Sequence, residues 1–126
     1  MRRSDQRRAA VFALYEREVR GGDTGDLPIE NAKPFTRELV EGVEGHRSKL
    51  DEEIAKRARG WALERIAALE RNILRVALYE IRHRDDVPDE VAIDEAVGLA
   101  KRYCGAEAPA FVNGILGAAA RSEPPG

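Results

Sequence analysis

The stretch Ile66-Ala67-Ala68-Leu69-Glu70-Arg71-Asn72-Ile73-Leu74-Arg75-Val76-Ala77-Leu78-Tyr79-Glu80-Ile81-Arg82-His83 decides the fold. Ile66, Leu69, Ile73, Val76 and Ala77 recur at helical steps on one face, and Leu74, Leu78 and Ile81 cover its flank. A helix that is apolar over so wide an arc must be covered on several sides, so this segment, starting near Ala62, predicts the central helix of a bundle.

The flanking sequence repeats the helical period. Val11, Phe12, Leu14, Tyr15 and Val19 mark a first helix over about Asp5 to Val19, which Gly21, Gly22, Gly25 and Pro28 end in a loop. Pro34 suits the first turn of a second helix carrying Phe35, Leu39, Val40 and Val43. A short third helix reads from Ser48 as N-cap, with Leu50, Ile54 and Ala58 inward and Gly60 closing it. Trp61 is expected to plug the junction that follows. Asp85–Ile93, with Pro88, reads as a turn or extended stretch before a helix capped by Asp94 and carrying Ala96, Val97, Ala100 and Tyr103. A last helix, about Pro109 to Arg121, offers Phe111, Val112, Ile115, Leu116 and Ala119. No β-branched alternation supports a strand. The expectation is all-α: one compact bundle of about six to seven helices over residues 1–122, with a disordered tail at 123–126.

Composition narrows the function classes. A 126-residue chain with 43% hydrophobic and 35% charged residues fits one soluble core. No apolar run reaches the roughly 18 residues of a membrane span. The Arg-rich start lacks a secretory pattern, and a single cysteine, Cys104, cannot staple the fold, so a cytoplasmic location is expected. Phosphate-loop, dinucleotide, zinc-protease and nucleophile-elbow motifs are all missing from the sequence. His46 and His83 stand far apart along the chain and read as surface residues, and Cys104 has no evident base partner. The expectation is a non-enzyme without cofactor or metal.

Net charge is only −2, but it is unevenly spread. Residues 1–20 hold six Arg against Asp5, Glu16 and Glu18, whereas 85–95 hold six acids and no base. Arg3 and Arg7, four apart, share a helical face that Arg8 borders, and guanidinium groups so spaced suit successive phosphates. Tyr15, two turns along, supplies an aromatic surface of the kind single-stranded RNA stacks upon. A core Tyr15 beside a merely solvated basic start explains the same residues equally well. The second reading yields a protein-only helical scaffold, with a homodimer left open.

The order of several segments resembles the NusB family of transcription antitermination factors. Arg7-Arg8-Ala9-Ala10 leading to Ala13-Leu14-Tyr15, then Phe35-x3-Leu39-Val40-x-Gly42-Val43 and Leu50-Asp51, are similar to that family's opening. Leu69 to Ile81, Asp86-Val87-Pro88, Val91 to Val97, Ala100-Lys101 and Phe111-Val112-Asn113-Gly114-Ile115-Leu116 continue the likeness over residues 2–121. The resemblance implies an all-α protein that pairs with ribosomal protein S10 (NusE) and binds boxA RNA. It also implies assembly with other Nus factors on RNA polymerase, favouring read-through of ribosomal RNA operons. By the same resemblance, Arg3, Arg7, Arg8, Tyr15, Phe111, Asn113 and Gly114 would form the RNA face, and Glu80 would lie on the S10-binding side. Ser4-Asp5 interrupts a segment that relatives often keep basic, and Gly117 stands where they often carry an acid. The family's helical domain also occurs fused to RNA cytosine methyltransferases. With no following α/β domain in this chain, a free-standing adaptor is expected.

Overall fold

The computed structural model describes residues 2–21 and 32–122. The expected glycine loop after Gly21 and the expected tail at 123–126 lie outside the described residues. Six α-helices follow one another: α1 Arg3–Val19, α2 Pro34–Gly45, α3 Arg47–Arg57, α4 Ala68–His83, α5 Asp89–Tyr103 and α6 Ala108–Ala120. One 3-10 turn, Leu63–Arg65, precedes α4, and no strand occurs among the described residues.

α4 packs against all five other helices, as its broad apolar surface requires. Ile73, Leu74, Val76 and Leu78 are buried there against Leu39 and Val40 of α2, Ile54 of α3 and Leu116 of α6, in one continuous core. Burying each such side chain is worth about 1.5–3 kcal/mol, so this helix organises the rest. α5 lays a stripe of Ala92, Ala96 and Ala100 into the core. These side chains are short, which suits close approach of the neighbouring α6.

Three boundaries differ from the sequence expectation. α4 does not begin at Ala62, because Ile66 and Ala67 are extended (ψ 130° and 140°) between the 3-10 turn and the helix. The step drops Ile66 into the core, and Arg71 Nη1 donates to Ile66 O at 2.8 Å and to Leu63 O at 3.1 Å, which also accepts from Ile66 N. α5 begins at Asp89 rather than after Asp94. Pro88 serves as its N-cap and its carbonyl accepts from Val91 and Ala92, while Asp89 and Glu90 meet the positive end of the helix dipole. α3 starts at Arg47 behind His46, so Ser48 lies inside the first turn and caps nothing. Trp61 is a further correction: Arg59 and Gly60 both take positive φ, and the chain swings the indole outward, 55% exposed, rather than into a gap.

α2 and α4 meet at Gly42. A Cβ there would fall 2.1 Å from Tyr79 Cζ, so the tyrosine ring occupies the space that any other residue's side chain needs. Gly42→Ala is expected to lose about 1–3 kcal/mol of stability by overpacking, read as a lower melting temperature with unchanged helical circular dichroism at low temperature.

Candidate nucleic-acid interface

α1 distributes its arginines over different sides, and the interior side claims Arg7. Position 7 lies in register with Ala10 and Leu14, both buried, so the guanidinium enters the bundle only 3% exposed. Its Nε donates to both oxygens of Glu80 at 3.0 and 2.8 Å, and its Nη2 donates to Glu80 Oε1 at 2.6 Å. A further ion pair runs from Nη1 to Glu95 at 3.2 Å. Glu80 itself is fully buried. The expectations that Arg7 grips RNA and that Glu80 faces a partner are therefore corrected. The two residues bind each other, joining α1 to α4, and neither is presented to a macromolecule.

Arg3 is half-exposed but tied. It donates to Asp86 at 2.8 Å and stands 4.4 Å above the Phe35 ring, beside Arg84, which bonds Asp86 and Glu38. The Arg84 and Arg3 guanidinium groups hold the Asp86 carboxyl down at about 2. Two cations and two anions leave this corner without excess positive charge.

Arg8 points to another side of α1. It is half-buried and pairs with Asp5 at 3.2 Å, a pair that the Ser4-Asp5 interruption makes local. One turn on, at the same side of the helix, comes Phe12, and almost two turns on comes Tyr15. The Phe12 and Tyr15 rings meet edge-on at 6.4 Å, and Phe12 meets Tyr103 of α5 edge-on at 5.0 Å. Tyr103 is 38% exposed, and the Arg102 guanidinium lies 5.3 Å from its ring centre. Lys101 and Arg102 are exposed beside it. Arg8, Phe12 and Tyr15 thus form a strip that continues into Tyr103 and Arg102. It combines flat rings with guanidinium groups, the chemistry by which single-stranded nucleic acid is held.

The sequence reading missed Phe12, Arg102 and Tyr103. Phe12 passed as core, and the run Lys101-Arg102-Tyr103, two bases beside an aromatic at a helix end, was the available signal. On α6, Asn113 and Gly114 are exposed, and a Cβ at Gly114 would meet open space. Phe111 is half-buried with Trp61 as its ring partner at 6.4 Å. These three follow the strip along the chain, past the turn after Tyr103, and none of them shares a ring contact with it.

Much of the arginine excess is internal. Glu18 receives Arg71 at 2.7 Å and Asn72 at 2.8 Å, and both factors hold its carboxyl below the usual value against the opposing effect of burial. Arg75 forks onto Asp51 at 2.7 and 3.0 Å, Arg82 onto Glu53, and Arg17 bonds Glu44. These pairs clamp helices together rather than face solvent. His46 and His83, expected to be apart, meet with ring centres 4.0 Å apart and planes tilted by 34°, and Tyr79 stacks on His83 at 5.2 Å. Burial and the neighbouring His46 lower the pKa of His83. No group of three or more metal-ligating side chains occurs among the described residues. Burial and nearby Glu70 push the Cys104 thiol up, away from thiolate reactivity. No helix among the described residues is long and apolar enough to cross a membrane.

Residues 4–121 match the NusB family. The transcription antitermination protein NusB of Symbiobacterium thermophilum is 42% identical over 138 residues, covering 96% of this chain and 90% of that protein. Among solved structures, NusB of T. maritima superposes with a TM-score of 0.90 at 34% identity, covering 99% of this chain and 94% of that one. Another, of the antitermination factors NusB and NusE in complex with dsRNA, gives 0.80 at 27% identity, covering 96% and 98%.

Proposed function

The chain belongs to the NusB family, and on that premise we propose that it is a transcription antitermination factor. It binds boxA-type single-stranded RNA together with ribosomal protein S10 (NusE). The complex joins other Nus factors on RNA polymerase and promotes read-through of ribosomal RNA operons. It works in the cytoplasm as an assembly surface, without catalysis or cofactor, through one helical domain over residues 1–122.

The observation that carries the reading is the Arg8–Phe12–Tyr15–Tyr103–Arg102 strip. Arg8 and Arg102 neutralise phosphates, and Tyr15 and Tyr103 stack with unpaired bases. Phe111, Asn113 and Gly114 extend the RNA path along α6, where the Asn113 amide has donors and an acceptor for base edges. Arg3 contributes at the margin. Arg7 and Glu80 act indirectly, by fixing where α1 lies.

Asp5 pairs with Arg8 and reduces the free positive charge, so RNA affinity of the isolated chain is modest and S10 adds the missing surface. A coupling of about 1–3 kcal/mol raises RNA affinity roughly 5- to 150-fold when S10 is present. Titrating boxA RNA into the chain alone and into its mixture with S10, each at low and at moderate salt, tests this. The reading expects tighter binding in the mixture and a steep decline with salt. Indifference of both to RNA at low salt leaves the protein-only scaffold standing instead.

A further inference from the structure

Where the start of α1 meets the turn between α4 and α5, three guanidinium groups gather around one aromatic ring. Arg3, Arg84 and Arg7 stand 4.4, 5.2 and 5.3 Å from the centre of the buried Phe35 ring. A ring face attracts cations without neutralising them, so each of the three still calls for an anion. Arg7 has Glu80 and Glu95. Arg84 has Glu38, at 2.8 Å, and Asp86. The one ion pair of Arg3 among the described residues is with Asp86.

Asp86 is held as a bound anion would be. Arg84 Nε donates to its Oδ1 at 3.0 Å, Arg84 Nη2 donates to its Oδ2 at 2.9 Å, and Arg3 Nη2 donates to the same Oδ2 at 2.8 Å. The guanidinium fork that matches a carboxylate also matches a phosphate. Resting on the RNA-binding reading above, we propose that Arg3 and Arg84 form a phosphate site of the RNA surface, which Asp86 fills as an internal stand-in until a phosphate of bound RNA displaces it. Neither Arg84 nor Asp86 is among the RNA residues that the family resemblance implied.

The stand-in is free to leave. Its side chain is half-exposed, whereas its backbone is fixed by a turn in which the buried Val87 donates to Arg84 O at 3.2 Å. Rotation of the Asp86 side chain alone empties the site. An ion pair open to water adds little to stability, so the fold does not depend on this one as it does on the buried Arg7–Glu80 pair. Once Asp86 turns away, Arg84 keeps Glu38 and stays in place, and Arg3 is left without an acid. Protonation cannot open the site near neutral pH, because the two guanidinium groups hold the Asp86 carboxyl at about 2. Competition by another anion can. Free phosphate competes poorly with a carboxylate tethered beside the site. RNA already held at Arg8, about 7.5 Å further along the axis of α1, is tethered too and competes on even terms. Asp86 thus favours a polymer gripped elsewhere on the surface over any stray anion.

Binding of boxA RNA at low and moderate salt is compared for the parent chain, Asp86→Asn and Asp85→Asn. The last removes the same charge from a neighbouring exposed acid that forms no ion pair among the described residues. Asp86→Asn is expected to bind about fivefold more tightly at low salt, with a salt slope steeper by about 0.7, as for one further phosphate on a single strand. Asp85→Asn is expected to gain no more than about twofold, as a screened surface charge. In an Arg3→Ala background the gain from Asp86→Asn is expected to vanish. An RNA-free arm follows the Nε–H signals of Arg3 and Arg84 as inorganic phosphate is added. In Asp86→Asn they are expected to shift and saturate at roughly tenfold lower phosphate than in the parent. Circular dichroism checks that each variant is folded. An unchanged affinity in Asp86→Asn, an equal gain in Asp85→Asn, or a gain that persists without Arg3 overturns the proposal and leaves the α1 strip standing. Arginine signals in Asp86→Asn that ignore phosphate overturn it as well. If no variant binds RNA, the reading of the strip fails and the stand-in fails with it.

Discussion

Arg7→Met lowers the stability of the folded chain by about 3–5 kcal/mol, seen as a marked fall in the urea midpoint. The change deletes one partner of a pair in which both side chains are almost wholly out of water. Methionine keeps an unbranched apolar stem but lacks the guanidinium, so most of the cost arises from the uncompensated Glu80 carboxylate. The pH dependence follows from the same group. Burial raises the Glu80 carboxyl above its usual value, and Arg7 pulls it back only in part. A carboxyl raised in the folded state binds its proton more tightly there than in the unfolded chain. Its contribution is therefore most favourable below the ordinary carboxylate value and is lost as pH rises through the raised one. Without Arg7 the raising is larger, so the variant's deficit is greater at about pH 8 than at about pH 5. The double variant Arg7→Met/Glu80→Leu recovers most of the stability, because an apolar pair needs no compensation. Charge reversal at Arg7 would set a third carboxylate against Glu80 and Glu95 and unfold the chain, so it cannot report on RNA contact.

Tyr103→Ala and Tyr15→Ala each weaken boxA RNA binding by about 1–3 kcal/mol, roughly 5- to 150-fold, with little change in salt dependence. Stacking is nearly independent of counterions, which separates these variants from Arg8→Glu. That substitution should lower affinity and also make the salt slope shallower by about one unit. Tyr103 is the sharper test, since it is exposed, meets the Phe12 ring edge-on, and was not among the residues the family resemblance implied. If Tyr103→Ala binds RNA as the parent does while Tyr15→Ala does not, the strip ends on α1.

Periodicity made the bundle legible, because an apolar arc as wide as that of α4 leaves no alternative to a central position. Helix starts were harder to read. Ser48 and Asp94 have the right chemistry for caps, yet none of the six helices is closed by a side-chain N-cap hydrogen bond. Proline or first-turn acids stand at five of those starts instead, and both are local signals. Spacing correctly put Arg3 and Arg7 on one helical face but could not say which way the face points. Ala10 and Leu14, one and two turns beyond, held that information. Tyr15 was open between core and surface, and its edge-on contact with Phe12 places it at the border of both. The meetings of His46 with His83 and of Phe12 with Tyr103 are tertiary, and no local pattern announces them.

The most direct test of the central claim is the backbone amide spectrum of the chain bound to S10, recorded with and without boxA RNA. The α1–α5 strip predicts RNA-dependent shifts at Arg8, Phe12, Tyr15, Arg102 and Tyr103, with Arg7 and Glu80 little affected. Shifts confined to α2 and α3, with that strip silent, would contradict it.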